Sequence, residues 1–216
     1  MIIFKGRYAA GEQLADLLVK YKKQSNTIVL GLPRGGVVTA FSLAKKLQLP
    51  LNVICPRKIR APQNPELALG AVTETGIAFY NWPLIRQLGV TEQELNKEIE
   101  EQRLSAQQRS LLFRRELPPL VVKDKTIIIV DDGLATGATM RAAIQELKQL
   151  NAMKIVVAVP VSPPDTLQEI NGIVDEVYCI ETPEFFQAVG QFYEHFDQVS
   201  DDEVLDLLES QHTQSN

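Results

Sequence analysis

The sequence predicts an α/β fold: a doubly wound, mostly parallel sheet flanked by helices, with a small hood and an extra helical segment. Two observations carry this. Short apolar runs rich in Val and Ile alternate with helical patterns along the chain, and repeated strand-helix-strand units imply a parallel sheet covered on both faces. Two glycine-bearing turns, after Leu30 and after Val130, each leave the end of such a run. With right-handed crossovers both turns fall on one sheet edge, and ligands of such sheets bind at the strands' carboxyl ends where the strand order reverses.

Residues 11–21 form an amphipathic helix pattern with Leu14, Leu17, Leu18 and Tyr21 on one face. A strand over 27–31 runs into Pro33-Arg34-Gly35-Gly36 and a helix over 37–47, then a strand over 51–56. Residues 57–66 carry two prolines and no apolar period, which predicts a loop. Residues 69–73 and 77–80 predict a hairpin turning at Thr75-Gly76.

A polar helix is expected over 92–116, opened by Thr91 and Glu94 at capping-box spacing and stopped before Pro118-Pro119. It should pack through Leu95, Ile99 and Leu111 as a solvated helix, a dimer contact or part of a hood. Strands over 126–130, 154–159 and 174–180 alternate with helices over 138–150 and 163–172. Helices are expected over 186–193 and 202–208, with residues 210–216 disordered. The pattern therefore reads as one domain over 1–209, with an inserted polar helix over 91–117 and a helical appendage over 181–209.

Composition limits the function. The 216 residues carry a net charge of −5, and no long run of Lys and Arg suits a nucleic-acid or polybasic membrane surface. Cys55 and Cys179 lie far apart with no second Cys or His at metal-ligand spacing, so both read as core thiols in a reducing compartment. No secretory apolar region follows Met1 and no apolar run is long enough to span a bilayer, which together point to the cytoplasm. No phosphate-binding GxxxxGK[ST] loop and no GxGxxG after a strand occur, against an NTPase and against a dinucleotide dehydrogenase.

Chemistry concentrates in one segment. The buried run Ile127-Ile128-Ile129-Val130 ends in Asp131 and Asp132, and Gly133-Leu134-Ala135-Thr136-Gly137-Ala138-Thr139 leads into a helix. Small residues let backbone N–H groups approach a phosphate, Thr136 and Thr139 add hydroxyl donors, and the helix points its positive end at the anion. The two acids would repel that anion at close range. They must face something else nearby, and a polyol or hydrated Mg²⁺ suits carboxylate oxygens. Phosphate at one end and vicinal hydroxyls at the other describe a ribose 5-phosphate. A plain strand end before a capped helix accounts for one acid and Thr136, but not for the acid pair with both glycines and both threonines.

This run resembles the ribose-phosphate signature of type I phosphoribosyltransferases, which use 5-phosphoribosyl 1-pyrophosphate (PRPP). The segment Val29-Leu30-Gly31-Leu32-Pro33-Arg34-Gly35-Gly36 is similar to their pyrophosphate loop, in which some members carry a cis non-proline bond. Residues 57–80 and the tail are similar to a group of uncharacterised bacterial proteins with a phosphoribosyltransferase domain. The resemblance implies transfer of a phosphoribosyl group to a nitrogenous base in nucleotide or nucleoside metabolism, with Mg²⁺ as cofactor, in a homodimer. It implies that Asp131 and Asp132 hold the ribose hydroxyls, directly or through Mg²⁺-bound water. Gly133 and the backbone of Ala135, Thr136, Gly137, Ala138 and Thr139 would hold the 5-phosphate. Arg34, Gly35 and Gly36 would hold pyrophosphate, Arg57 and Lys58 would add charge beside it, and Arg60 could close over it. Arg34 and Lys58 join the acids as catalytic candidates.

One departure matters. Purine-type members with a Glu-Asp-(apolar)₂-Asp-Thr-Gly signature place a third acid where this chain has Ala135. The Ala-Thr-Gly loops of adenine-type members and some orotate-type loops are nearer. Glu66 and Glu74 are the candidates for handling the base proton. A PRPP-binding sensor without turnover, or a scaffold with a disused pocket, are the competing readings.

Overall fold

The computed structural model describes residues 4–214, with side chains described through residue 212. A five-stranded sheet is built from β1 (Thr27–Gly31), β2 (Leu51–Val53), β6 (Thr126–Val130), β7 (Lys154–Val161) and β8 (Glu176–Glu181), in the order β2-β1-β6-β7-β8. Every neighbouring pair is parallel. The strands alternate their side chains between two cores. Val29, Ile128, Val130, Val156 and Ala158 pack toward α1 (Arg7–Leu17), α2 (Gly35–Leu47) and α7 (Asp201–Gln214). Leu30, Ile127, Ile129, Ile155 and Val157 pack toward α5 (Ala138–Gln149) and α6 (Pro164–Asn171). Burial on both faces explains the unbroken apolar runs, each side chain contributing about 1.5–3 kcal/mol.

The chain winds outward in both directions from β1 and β6, so the order reverses between them. There Gly31 pairs with Val130, and the Leu32 N–H donates to the Val130 carbonyl at 3.0 Å. That register sets Pro33-Arg34-Gly35-Gly36 beside Asp131 and Asp132.

A second sheet of three antiparallel strands forms the hood: β3 (Arg57–Ala61), β4 (Asn64–Val72) and β5 (Ala78–Tyr80). With α3 (Trp82–Gln87) and α4 (Glu92–Phe113) it makes up the long connection from β2 to β6. Residues 57–66, expected as a loop, are instead β3 and the start of β4. Pro65 is tolerated because the ladder is irregular there: register shifts fall around Arg60, and Ala61 pairs with Asn64. Ala71, Ala138 and Ala142 pack together with Phe79. These small side chains let the hood settle on the first turns of α5, over the acid-bearing loop.

Other differences are local. The first helix starts at Arg7, before the predicted residue 11, and ends at Leu17 with a 3₁₀ turn over Val19–Tyr21. Residues 186–193 hold only a 3₁₀ turn, Val189–Phe192. The last helix runs through Gln214, with Gln211 buried and donating to the Leu49 carbonyl, so residues 210–214 are helical where a disordered tail is predicted. Residues 215 and 216 lie outside the described part. The capping box at Thr91 and Glu94 is formed. Leu95 is buried and Ile99 packs with it, but Leu111 is 70% exposed. Cys55 is buried and Cys179 half-buried, and burial pushes both thiols up to about 12. No helix among the described residues is long and apolar enough to cross a membrane.

One buried acid ties hood to sheet. Glu146, on α5, accepts a hydrogen bond from the Thr75 hydroxyl at 3.0 Å. Desolvation raises its pKa above the ordinary carboxylate value. A raised native pKa means that the ionised acid penalises folding, so stability declines as pH rises from about 4.3, the unfolded value, through the native one. Glu146→Gln should therefore raise the melting temperature at pH 8, with a gain that shrinks toward pH 4. A pH series of thermal melts checks this; a gain that is constant with pH would show that charge is not the cause.

Candidate phosphoribosyl site

The acid-bearing loop leaves β6 at Val130 and enters α5 through Gly137, which has φ +69° and serves as the N-cap. Glycine is the residue that takes this left-handed conformation without steric cost. Ala135 and Thr136 are exposed, while Gly133, Gly137 and Ala138 are buried. The Thr166 hydroxyl donates to the Ala135 carbonyl at 2.9 Å and pins the loop to α6. The opening N–H groups of α5 lack helical acceptors, as in any helix, and no side chain caps them at Gly137.

The two acids turn toward α2. A Cβ on Gly35 would stand 2.0 Å from Asp132 Oδ2, and one on Gly36 would stand 2.7 Å from Asp131 Oδ1. The two glycines therefore seat the carboxylates against the first turn of α2, quite apart from any anion they bind. The Pro33–Arg34 peptide bond is cis. Asp131 Oδ1 accepts from the Asp132 N–H at 2.9 Å. Burial, then the neighbouring Asp132 charge, pushes the Asp131 carboxyl well above its usual range, and Lys58 pulls the other way.

Asp132 has a cation of its own. Arg7 Nε donates to its Oδ2 at 2.7 Å, with side chains 11% and 15% exposed respectively. The same guanidinium lies 3.8 Å over the Phe196 ring centroid and donates to the Asp197 carbonyl at 2.8 Å. Tyr193 donates its hydroxyl to the Asp132 carbonyl at 2.5 Å. Burial and the Asp132 charge raise the Tyr193 pKa, which keeps the hydroxyl protonated as a donor. The bridge between Phe4 and Tyr193 joins the segment before α1 to the segment that holds Tyr193, Phe196 and Asp197.

Beside the acids lies a cavity of about 190 Å³, lined by Pro33, Pro56, Arg57, Lys58, Arg60, Gln102 and Thr139. It joins the loop after β1, the start of β3 and the first turn of α5. A phosphoribosyl transferase domain model matches residues 4–197. The chain belongs to the phosphoribosyltransferase domain family. Two strains of Mycobacterium tuberculosis carry proteins with a provisional phosphoribosyl transferase name that are 42% identical over 98% of this chain. The match is 48% of each protein, so the chain spans about half the length of those curated relatives. Over 136 residues it is 37% identical to the bifunctional protein PyrR of Pediococcus pentosaceus, covering 63% of this chain and 58% of that protein. The crystal structure of TT1426 from Thermus thermophilus superposes with a TM-score of 0.80 at 38% identity, covering 97% of this chain and 99% of that one.

Within this phosphoribosyltransferase fold, Arg34, Gly35, Gly36, Arg57, Lys58, Arg60, Asp131, Asp132 and the loop 133–139 gather at one sheet edge. Glu66 and Glu74 do not join them. Glu66 is exposed on the hood, and Glu74 Oε1 is 2.6 Å from Arg114 Nη1. Phe185 is 84% exposed, while Phe186 stacks on buried Phe192 at 5.4 Å. Arg7 and Gln102 are site neighbours that the sequence did not single out. For Gln102 a signal existed: it lies on the polar helix for which a place in the hood was one of three expectations.

The packing of Gly35 gives a direct prediction. Gly35→Ala should destabilise the chain by about 1–3 kcal/mol, because its Cβ would overlap Asp132 and Arg7 in a packed contact. Thermal melts measure this; an unchanged melting temperature would show that the acids are free to move.

Proposed function

We propose that this chain transfers the 5-phosphoribosyl group of PRPP to a nitrogenous base and releases pyrophosphate, with Mg²⁺ required. The observation that carries the reading is the meeting, at the point where strand order reverses, of an anion-binding helix start, an acid pair and a cationic cavity. The loop from Gly133 to Thr139 takes the 5-phosphate through its N–H groups and the Thr136 and Thr139 hydroxyls. Asp131 and Asp132 face the ribose hydroxyls. Arg34, Arg57, Lys58 and Arg60 face the pyrophosphate, with Gly35 and Gly36 letting it approach the start of α2.

The donor set fits magnesium. The hard carboxylate of Asp131 has no arginine partner among the described residues, and Mg²⁺ commonly takes one or two carboxylates and completes its shell with phosphate oxygens and water. No group of three or more His, Cys, Asp or Glu residues suited to a metal occurs among the described residues, which also suits an ion shared with substrate. When bound, Mg²⁺ supplies charge neutralisation on the pyrophosphate oxygens.

The residues then act by placement and charge. The bond from C1 to the pyrophosphate oxygen breaks, and charge growing on that oxygen is met by Arg34 and Lys58. The ribose ring takes on oxocarbenium character, as in glycoside cleavage. A ring nitrogen of the base bonds to C1 from the opposite face and gives up its proton to water or to the departing pyrophosphate. The loop holds no third acid to receive that proton, since Ala135 stands in its place. A homodimer in the cytoplasm belongs to the same reading.

A panel of purines, pyrimidines and other nitrogen heterocycles, assayed with PRPP and Mg²⁺ for pyrophosphate release, tests the proposal. Turnover with one class of base is expected. Tight PRPP binding without turnover across the panel would make the chain a PRPP sensor instead.

A further inference from the structure

The hood helix α4 reaches the same edge. Arg109 and Arg34 approach one carboxylate oxygen, Asp201 Oδ1 on the first turn of α7, at 3.8 and 3.9 Å. That oxygen is buried and makes no hydrogen bond among the described residues, so it sits between two guanidinium groups at a distance that neither closes. Arg57 is desolvated, and Arg109, Arg60 and Arg34 all lie near enough to lower its pKa further. Arg57, Lys58 and Arg60 make no ion pair among the described residues. A chain of net charge −5 thus collects Arg34, Arg57, Lys58, Arg60 and Arg109 in one place and sets Asp201 against them.

Two buried polar atoms there lack partners: Arg57 Nε and Gln102 Oε1, with Gln102 only 8% exposed. Both residues line the cavity. Rotating the Gln102 amide by 180° exchanges its oxygen for an NH₂ donor, an orientation set by its hydrogen-bond partner. Leaving such groups unpaired is costly, whereas an anion rich in acceptor oxygens satisfies them together.

We infer that Arg109 and Gln102, both on α4, belong to the pyrophosphate-binding site, and that Asp201 is a stand-in anion which the bound pyrophosphate displaces. This rests on the phosphoribosyltransferase reading above and extends its leaving-group side to a helix outside the sheet's own loops. Arg109 bonds a terminal phosphoryl group, Gln102 donates to a neighbouring oxygen, and Asp201 swings out as Arg34 and Arg109 turn to the ligand.

The test is calorimetric titration of the full chain with inorganic pyrophosphate and Mg²⁺, with Arg34→Gln as the reference for the site. Arg109→Gln should weaken pyrophosphate binding about tenfold or more, and Arg109→Lys should recover part of that loss. Asp201→Asn should act in the opposite direction and tighten binding about two- to fivefold, the worth of a half-exposed ion pair. A merely structural role for these residues gives no such opposed pair. Loss in Arg34→Gln with affinity unchanged in both Arg109→Gln and Asp201→Asn would overturn the inference and spare the proposed function. No pyrophosphate binding by the wild-type chain, or no effect of any of the three, would overturn both. Should Arg109→Gln fold poorly in a thermal melt, the Asp201→Asn result decides alone: tighter binding supports the displacement, and unchanged or weaker binding refutes it.

Discussion

Asp131→Asn is expected to raise the melting temperature and to lower kcat/KM for PRPP by about 10²–10³-fold, the loss seen when one preorganised electrostatic group is removed. The two effects share one cause. Asp131 is held in a desolvated position beside a second carboxylate, which pushes its pKa well up. A native pKa above the unfolded value means that the ionised form costs stability at neutral pH, a cost that fades as pH falls toward the unfolded value. Asparagine removes the charge and keeps the acceptor: its Oδ1 can still take the Asp132 N–H that Asp131 Oδ1 takes at 2.9 Å. The side chain is close to isosteric, so the contact with Gly36 is preserved. What is lost, on the proposed function, is the negative oxygen offered to the ribose hydroxyls and to a shared Mg²⁺. Thermal melts with and without PRPP and Mg²⁺ separate the effects. The free variant should melt higher than wild type, and ligand should stabilise it less, since stabilisation follows ligand concentration over Kd. A variant that melts lower, or that PRPP protects as well as wild type, would mean that Asp131 serves the fold and not the ligand.

How far the sequence discloses this site depends on the range of the contacts. The strand ends at Gly31 and Val130 were legible because strands buried on both faces need unbroken apolar runs, and their turns follow in the next few residues. The acid pair and the loop to Thr139 were legible for the same reason, all lying within one strand-loop-helix unit. Strand β3 was hidden by composition. Arg57, Lys58 and Arg60 make the segment look like a polar loop, yet Ile59 and Ala61 alternate inward at period two, and that alternation is the signal that could have revealed it. Residues 186–193 misled in the opposite sense. Their aromatics suggest a helix face, but Phe192 and Tyr193 are buried by packing on Phe4, Phe186 and Phe196 rather than by helix periodicity. Arg7 carries no local mark at all. Its importance comes from an acid 125 positions away, and the bridge between Phe4 and Tyr193 that aims it is a tertiary fact. Arg109 and Asp201 are alike in this: a polar helix and a helix start become site residues only when the β2-to-β6 connection folds over the sheet edge.

Arg7→Met should destabilise the chain more than other single changes near the site, by about 3–5 kcal/mol, because it strands a largely buried carboxylate without its cation. For a chain of this length each kcal/mol lowers the melting temperature by about 2–4 °C, so a shift of order 10 °C is expected. Methionine keeps much of the packing on Phe196, so lost volume is a small part of the effect. Asp132→Asn should be milder, since it leaves Arg7 donating to the Asp197 carbonyl and stacked on Phe196. In the double variant Arg7→Met with Asp132→Asn neither of these two charges is left without its partner, and stability should return most of the way to that of Asp132→Asn alone. The coupling between the two changes, measured as a double-mutant cycle by denaturant unfolding, then amounts to most of the Arg7→Met cost, at or above the upper end of the about 0.5–3 kcal/mol found for residues in direct contact. The cycle also bears on the division of labour between the acids. If Arg7 locks Asp132 as a strut between α1, the 193–197 segment and α2, Asp131 is the acid left for sugar and metal, and Asp132→Asn should lower PRPP affinity less than Asp131→Asn does. Additive stabilities in the cycle, or an Asp132→Asn variant that binds PRPP worse than Asp131→Asn, would show that Arg7 yields its partner to the ligand and that the two acids work as a pair.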